Sequence, residues 1–348
     1  MGQIGSSEAA DRVIAAIAHE VGTAVAGSLP VAGDTAAGTA VELAHRRPAV
    51  GARVLRRSSE GELPFLPTRF RLVAEGATLG AWVEGVDLRQ PLDAALVDEL
   101  RAAWLEWKVL LFRDQHLTIE QQARFASTWG PLTDDHLDMR TSADPVDNVV
   151  VFVRDATTMG LENGWHSDGT FRPVPTWGTT LRAIEVPEQG GDTMFVDMAA
   201  AFDNLDADVR ALVHGRSARH DWSLGGYAAK YADDLDELRR RHPAVEQPLV
   251  ILHPVTARPT LFVNALFTER ILGLADDDAA ALLGHLLHQA EVPEYQIRLR
   301  WKPGTLALWD NIAVQHYGVN DYYPHQRVMA RATFLGHLVG TLRPWTAP

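Results

Sequence analysis

The amino-acid sequence predicts a mainly β protein with flanking helices, an α+β domain of the sandwich or jelly-roll type. Short runs rich in Val, Ile, Leu, Phe and Thr recur at modest spacing, separated by Gly, Pro and Asp turns. Such a pattern is typical of antiparallel sheets. The runs do not alternate regularly with helical segments, and the sequence contains no glycine-rich nucleotide-binding motif and no internal repeat. A parallel nucleotide-binding sheet is therefore disfavoured.

The first 64 residues differ from the rest and are interpreted as a partly flexible N-terminal extension. They are rich in Ala, Gly and Val and contain no aromatic residue. Within them, residues 9–26 have the spacing of an amphipathic helix, and residues 27–40 are typical of a flexible connector. The main domain is predicted to comprise residues 65–348, starting where aromatic residues first occur.

Two helices are predicted near the start of the main domain. Residues 93–107 carry apolar side chains at helical spacing and are followed directly by the buried-strand run KVLLF. A second helix begins after Thr118, which can form a capping box with Gln121, and it ends at Gly130. The strand candidates that follow are 149–153, 179–186, 249–253, 260–263, 305–309 and 328–335. In that later part, only residues 275–290 are clearly helical by pattern.

Composition and charge narrow the class of function. The chain of 348 residues is 46% hydrophobic and has a formal net charge of −13, which disfavours a nucleic-acid partner or an anionic membrane surface. It has no cysteine, which excludes disulfides, thiolate metal sites and cysteine nucleophiles. No apolar run is long enough to span a bilayer, and the start lacks the basic region of a signal peptide. We therefore expect a cytoplasmic protein.

The stretch GWHSDGTFRP, residues 164–173, places a histidine and an aspartate two positions apart. Residues at i and i+2 of an extended segment point to the same side, so His166 and Asp168 could both reach one metal ion. Two histidines and one carboxylate are the ligand set of many non-haem Fe(II) sites. This tripeptide is weak evidence alone, because roughly one such pair is expected by chance. His136 and Asp138 form a second one.

The segment 304–336 favours His166 over the alternative tripeptide. A strand candidate there carries His316, and Arg327 and Arg331 follow it, the second leading into an apolar strand. An arginine in a buried strand must be paired or must bind an anion. Its guanidinium matches a carboxylate in bidentate geometry. A 2-oxo dicarboxylic acid would meet both groups, with its oxo-acid end on iron and its distal carboxylate on the arginine.

Several motifs between about residue 70 and residue 336 resemble the TauD/TfdA family of Fe(II)- and 2-oxoglutarate-dependent dioxygenases. They are GAWVEGVDL, VLLFRDQHLT, GWHSDGTF, RAIEVPEQGGDTMFVDM, HPVTARPTLFVNALFTER, WKPGTLALWDN and QHYGVNDYYPHQRVMARATFLG. The resemblance implies a double-stranded β-helix, or jelly-roll, core in which His166, Asp168 and His316 bind Fe(II). It also implies a hydroxylation that consumes O2 and 2-oxoglutarate and releases succinate and CO2.

The resemblance extends to residues around the metal. It implies that Thr193 and Arg327 bind the distal carboxylate of 2-oxoglutarate. Arg331 matches a position that either supports this co-substrate site or faces the substrate anion. His136 and Phe267 are expected to line the substrate pocket. If Arg331 and His136 both face the substrate, a sulfonate, sulfate ester or carboxylate is favoured.

The segments that depart from the family pattern lie around the predicted substrate pocket. The family often has an arginine after WDN, where this chain has Ile312, and residues 130–140 match poorly. Residues 221–247 occupy the usual place of a mobile lid. The identity of the substrate and the choice between hydroxylation, desaturation and loss of a heteroatom group therefore stay open. The resemblance also implies a homo-oligomer, either a dimer or a tetramer.

Two other classes of function remain open at this point. A metal hydrolase could use the two histidines and the aspartate to activate water, and it would need neither Thr193 nor Arg327. A catalytically silent jelly-roll protein would bind a ligand without turning it over. Binding of 2-oxoglutarate to the Fe(II) protein, followed by turnover with O2, separates the three classes.

Overall fold

Strands outnumber helices in the computed structural model, which is a mixed α/β structure. It describes residues 42–43, 46, 53–133, 148–158, 160–224, 226–336 and 342–346. The strands are β1 Arg71–Ala74, β2 Ala81–Glu84, β3 Val109–Phe112, β4 Val149–Arg154, β5 Gly178–Glu185, β6 Thr193–Asp197, β7 Ser217–His220, β8 Val245–Pro248, β9 Val250–Leu252, β10 Pro259–Leu261, β11 Thr268–Ile271, β12 Gln296–Leu299, β13 Leu306–Asp310, β14 Val314–Gly318, β15 Arg327–Phe334 and β16 Arg343–Pro344. The predicted helix at 9–26 and connector at 27–40 lie outside the described residues.

The helices are mostly short. They are α1 Ala94–Trp107, α2 Ile119–Ser127, α3 Met198–Asp203, α4 Ala207–Val213, α5 Gly226–Lys230, α6 Leu235–Arg241 and α7 Asp276–Leu287. Within the ranges given above, none of them is long and apolar enough to cross a membrane. The two helices predicted first are confirmed, each with a side-chain cap. The Asp93 carboxylate accepts a hydrogen bond from the Leu96 amide, and Thr118 forms the expected capping box with Gln121.

The largest sheet has seven strands in the order β1-β2-β3-β13-β5-β15-β4. Neighbouring strands within this sheet are antiparallel, except that β2 and β3 are parallel. The predicted strands at 149–153, 179–186, 305–309 and 328–335 all belong to it. One face is covered by α1 and α2, where Trp104, Trp129 and Trp177 are nearly inaccessible to solvent.

A three-stranded sheet, in the order β12-β6-β14, packs against the other face of the large sheet. Leu111, Phe152 and Leu181 from the large sheet and Phe195 and Val314 from the small sheet belong to one buried cluster. The alternation of side chains along each strand sends apolar residues into this layer. The two facing sheets carry the residues of the site described below, because β6 and β14 belong to one and β15 to the other.

The prediction that only residues 275–290 are helical beyond the second helix was wrong. That segment does contain α7, but α3, α4, α5 and α6 also occur in the later part of the chain. Each of these four has five to seven residues, which is too short to show a helical period in the sequence. The helix α3 begins directly after β6, with the Asp197 carboxylate accepting hydrogen bonds from two backbone amides.

Residues 53–62 contact the body of the protein through ion pairs. The Arg56 guanidinium pairs with Asp203 at 2.8 Å, and the Arg57 guanidinium pairs with Glu106 at 2.8 Å. The Lys108 ammonium, which is buried, donates to the Arg57 carbonyl at 2.9 Å. These residues lie in the same compact unit as the strands, Thr39–Pro348. A domain boundary after residue 64 stays a prediction.

Candidate active site

Three side chains that the sequence singles out come together between the two facing sheets. His166 is joined to His316 on β14 by two backbone hydrogen bonds, of 3.0 and 2.7 Å. Asp168 follows two residues later, and its Oδ1 atom lies 3.9 Å from His166 Nε2 and 3.7 Å from His316 Nε2. One ligand atom from each of the three residues lies within 4.8 Å of the others. All three are at least nine-tenths buried.

The imidazoles are oriented for ligation through Nε2. His166 Nδ1 lies 2.8 Å from the Gly164 carbonyl oxygen, which fixes a proton on Nδ1 and leaves a lone pair on Nε2. The ring of Trp309 packs against that of His316 with 4.9 Å between centroids. Burial and the neighbouring His166 lower the pKa of His316 far below its ordinary value. His316 is therefore neutral, which is the form that binds metals.

The two oxygens of the Asp168 carboxylate have different surroundings. Oδ1 faces the imidazoles, whereas Oδ2 accepts a hydrogen bond from Thr179 Oγ1 at 3.0 Å and pairs with Arg331 Nη2 at 2.8 Å. The Asn311 amide donates to Thr179 Oγ1 at 3.0 Å, so the threonine proton is directed to the carboxylate. Burial would raise the pKa of Asp168, but the charge of Arg331 and the hydrogen bond from Thr179 outweigh it and lower the pKa. The carboxylate is therefore ionised.

Arg331 forms an ion pair with Asp168, the predicted metal ligand. The sequence did not indicate this ion pair. Arg331 projects from β15 and lines two spaces that border the ligands. The expectation that it faces substrate or co-substrate stays a prediction. Asp310 is the last residue of β13, and Asn311 begins the turn that leads to β14. Two backbone amides donate to His253 Nδ1, so the ring proton lies on Nε2. His253 Nε2 therefore donates a hydrogen bond to the Asp310 carboxylate at 2.9 Å.

A cavity on one side of the three ligands contains the predicted co-substrate residues. Thr193 is the first residue of β6 and Arg327 the first of β15, and both line this cavity. Trp301 Nε1 donates to Thr193 Oγ1 at 3.0 Å, which leaves the threonine proton for another acceptor. Arg327 is 8% exposed, and its buried Nε has no hydrogen-bond partner among the described residues. Burial lowers the pKa of Arg327, whereas Tyr322 and Glu162 raise it.

Two glycines before Thr193 make room for Arg327. Gly190 and Gly191 have φ angles of +80° and +69°, a region that side chains disfavour. A Cβ atom on Gly191 would lie 3.2 Å from Arg327 Cδ and 3.2 Å from a ring carbon of Tyr322. The GGDT motif therefore fits the arginine closely. An unpaired buried guanidinium beside a threonine hydroxyl is suited to a carboxylate.

The cavity also contains an ion pair that the sequence analysis missed. Arg154, the last residue of β4, pairs with Glu162 at 2.6 Å, and both side chains line the cavity with Arg327. Arg154 follows the run VVVFV, so the reasoning applied to an arginine in a buried strand could have identified it. No motif indicated Glu162, because it lies in a loop and its role depends on the fold.

A second space borders His166 and Asp168. Its walls include the rings of Phe171, Tyr227 and Phe267 and the guanidinium of Arg172. Phe267 packs edge-on against Phe171, with 4.9 Å between ring centroids, and lies 6.0 Å from the His166 ring. Phe267 was a predicted pocket residue, and Tyr227 comes from the predicted lid segment. The other predicted pocket residue, His136, lies outside the described residues.

Comparison with known proteins identifies the family. The protein-family model described as "Taurine catabolism dioxygenase TauD, TfdA family" matches residues 70–333 of this chain. The chain belongs to the TauD/TfdA family, and the predicted resemblance is confirmed. The (S)-phenoxypropionate/alpha-ketoglutarate-dioxygenase of Sphingobium herbicidovorans is 35% identical over 276 residues, which cover 77% of this chain and 95% of that protein.

Solved structures agree with this assignment. A taurine dioxygenase from Burkholderia xenovorans has a TM-score of 0.66 and 31% identity, covering 77% of this chain and 92% of that one. The structure of AAD-2 in complex with Mn(II) and N-oxalylglycine has a TM-score of 0.64 and 29% identity, covering 78% of this chain and 99% of that one. The predicted enzyme class is confirmed, and this chain is a 2-oxoglutarate-dependent dioxygenase.

Proposed function

We propose that His166, Asp168 and His316 bind Fe(II) and that Arg327 and Thr193 bind the distal carboxylate of 2-oxoglutarate. The observation that carries this proposal is a group of three buried ligand atoms within 4.8 Å of each other. It lines the same cavity as a buried guanidinium whose Nε has no partner in the described ranges. Two imidazole nitrogens and a carboxylate oxygen suit Fe(II). N-oxalylglycine, which AAD-2 binds together with Mn(II), has the same two carboxylates as 2-oxoglutarate.

The protein's contribution to the reaction is to bind and orient. When bound, iron with O2 and 2-oxoglutarate supplies an oxidative decarboxylation, which yields succinate, CO2 and a hydroxylated substrate. Arg327 and the proton of Thr193 hold the distal carboxylate. Thr179 and Arg331 keep one oxygen of Asp168 turned away from the imidazoles, so that the other faces them. The apolar rings of Trp309 and Phe195, which pack against His316, exclude water from that side.

The proposal also covers the type of core, the oligomeric state, the cellular location and a lid. The two facing sheets, with the site between them, are consistent with a double-stranded β-helix core. A dimer or tetramer and a cytoplasmic location stay predictions. The segment 221–247 would act as a lid over the substrate, since its Tyr227 lines the space beside His166.

We propose that the substrate is a small anion with an aromatic or other bulky apolar body. It would bind in the second space beside His166 and Asp168, where Phe171, Tyr227 and Phe267 supply apolar walls. Arg172 and Arg331 line the same space and supply positive charge to an anionic group. The relative from Sphingobium herbicidovorans, which is named for (S)-phenoxypropionate, supports an aryloxy carboxylate over a small sulfonate.

Anaerobic addition of Fe(II) and 2-oxoglutarate tests the metal and co-substrate sites. The chelate of both is expected to give a visible charge-transfer band, and O2 should then release succinate. His166→Ala should abolish the band, because it removes one of the three ligands. His136→Ala should preserve it, since His136 belongs to the other tripeptide. Loss of the band only in the His136 variant would show that the wrong tripeptide was chosen.

A succinate-release screen tests the substrate class. We expect substrate-dependent succinate from aryloxy carboxylates and much less from taurine, which lacks an apolar body. The neutral amide of the best carboxylate serves as the matched control, because it keeps the shape and removes the charge. Equal turnover of the acid and its amide would contradict an anion site. A hydrolase would release no succinate with any of these compounds.

A further inference from the structure

Two arginines lie directly opposite each other at the co-substrate cavity. The strands β4 and β15 are antiparallel neighbours, and their register pairs Arg154 with Arg327. Both side chains are buried and both line the cavity. Like charges placed directly opposite in a sheet are destabilising, and burial strengthens the repulsion because little water screens it. This pair therefore requires a counter-charge.

Glu162 supplies a counter-charge to Arg154. Its Oε1 atom accepts a hydrogen bond from Arg154 Nη2 at 2.6 Å, and the Glu162 side chain is 27% exposed. Burial would raise the pKa of Glu162, but the charge and the hydrogen bond of Arg154 outweigh it, and the pKa lies below its ordinary value. The Glu162 carboxylate is therefore ionised, and its charge also acts on Arg327.

The local backbone provides space for this carboxylate. A Cβ atom on Gly160 would lie 1.8 Å from Glu162 Oε2 and 3.0 Å from Arg154 Nε. The Gly318 amide donates to the Glu162 carbonyl oxygen at 2.9 Å. The loop that carries Glu162 is thus attached to β14, the strand of His316. Packing and charge together hold the carboxylate on the Arg154 side of the cavity.

Among the residues that the structure describes, the charges of the cavity leave Arg327 without an acidic partner. Three ion pairs account for the other charged side chains: Arg154–Glu162, Arg298–Asp192 and Arg331–Asp168. No ion pair joins a carboxylate to Arg327 in the part of the chain that the structure describes. The charge of Glu162 already acts on Arg327, so a Glu162 carboxylate released from Arg154 could turn to Arg327.

We propose that Arg154 is a positioning residue that retains Glu162, so that Arg327 stays available to the distal carboxylate of 2-oxoglutarate. This inference rests on the proposed function. It makes Glu162 an internal competitor of the co-substrate whenever Arg154 is lost. Two other roles for the pair give different outcomes. Arg154 could contact the co-substrate carboxylate itself, or the ion pair could only fix the loop that carries Glu162.

A charge-deletion cycle on the Mn(II)-loaded protein tests this inference, with 2-oxoglutarate binding measured by calorimetry. R154Q should weaken binding roughly ten- to a hundredfold, because the ligand must displace an internal carboxylate from a buried guanidinium. The double variant R154Q/E162Q should bind within about threefold of the wild type. R154K keeps the charge that retains Glu162 and should also bind nearly as well as the wild type. Mn(II) affinity should be unchanged in all three.

Each other result has a definite meaning. Binding by R154Q as tight as by the wild type would overturn the inference. Equally weak binding by R154Q and R154Q/E162Q would also overturn it, and would indicate direct contact between Arg154 and the co-substrate. Loss of Mn(II) affinity together with 2-oxoglutarate affinity in R154K and the double variant would indicate a purely structural ion pair. A wild-type protein that binds Mn(II) but no 2-oxoglutarate would instead contradict the proposed function.

Discussion

At the residue scale, the neighbours of the Asp168 carboxylate decide which oxygen can face a metal. Thr179 Oγ1 donates to Oδ2, and Asn311 in turn donates to that hydroxyl. Thr179→Val removes the hydroxyl at almost unchanged volume and lets the carboxylate rotate. We expect Mn(II) affinity to fall about ten- to a hundredfold, the range seen when groups that orient metal ligands are lost.

A titration of the protein with Mn(II), followed by electron paramagnetic resonance, checks this prediction. Thr180 provides the matched control. It is the next residue on β5, so its side chain points to the other face of the strand. It is equally buried, and its hydroxyl donates to the Ala332 carbonyl rather than to Asp168. Thr180→Val should therefore retain Mn(II) affinity. Similar losses in both variants would show that packing in β5, and not the hydrogen bond, controls the site.

Which site residues could be predicted depends on what makes each one recognisable. His166, Asp168 and His316 belong to short motifs whose residue types already suggest a metal, Arg331 is conspicuous as a charge in an apolar strand, and the family resemblance indicates Arg327. Glu162 has no such mark. Its position beside Arg154 follows from the register of β4 and β15 and from a loop attached to β14, which are relations between distant segments.

At the scale of one element, the Gly190-Gly191 turn before β6 positions the start of that strand against Arg327. Gly191→Ala places a Cβ 3.2 Å from Arg327 Cδ at a φ of +69°, so the turn or the arginine must move. We expect the KM for 2-oxoglutarate to rise about tenfold or more, because a misplaced guanidinium loses its hydrogen bonds to the carboxylate. Mn(II) affinity should be preserved.

Gly284 in α7 is the control for this substitution. Nothing lies within 4 Å of a Cβ built there, and a glycine inside a helix costs about 1 kcal/mol relative to alanine. Gly284→Ala should therefore raise the free energy of unfolding and leave the KM for 2-oxoglutarate unchanged. An unchanged KM in Gly191→Ala would mean that Arg327 does not depend on this turn.

The elements themselves were predictable where their pattern is long. The strand at 149–153 is a continuous apolar run, the strand at 328–335 is apolar except for Arg331 and Thr333, and α2 has a capping box, so local sequence determines these elements. The helices α3 to α6 have five to seven residues each. Such helices have little stability of their own. They depend on packing with distant residues, as in the cluster of Met198, Phe202 and Leu261.

At the scale of the whole molecule, buried polar groups connect stability to pH. His220 on β7 is fully buried, with Nδ1 3.1 Å from Thr170 Oγ1 and its ring stacked on Phe262. Burial lowers its pKa to about 3, whereas a histidine in an unfolded chain titrates near about 6.5. Below that pH, His220 binds a proton in the unfolded state but stays neutral in the folded state. Stability from this residue is complete above about pH 6.5 and is lost as the pH falls toward the folded pKa.

His220→Gln should therefore flatten the dependence of stability on pH. Each pH unit below about 6.5 costs the wild type up to about 1.4 kcal/mol through this residue alone, and glutamine cannot take up the proton. Urea unfolding at several pH values between about 5 and about 7 measures the slope. His116→Gln is the control, because His116 is exposed and its loss should leave the slope unchanged. Parallel curves for the wild type and His220→Gln would mean that His220 is protonated in the folded protein, and that its hydroxyl neighbours stabilise the charge despite burial.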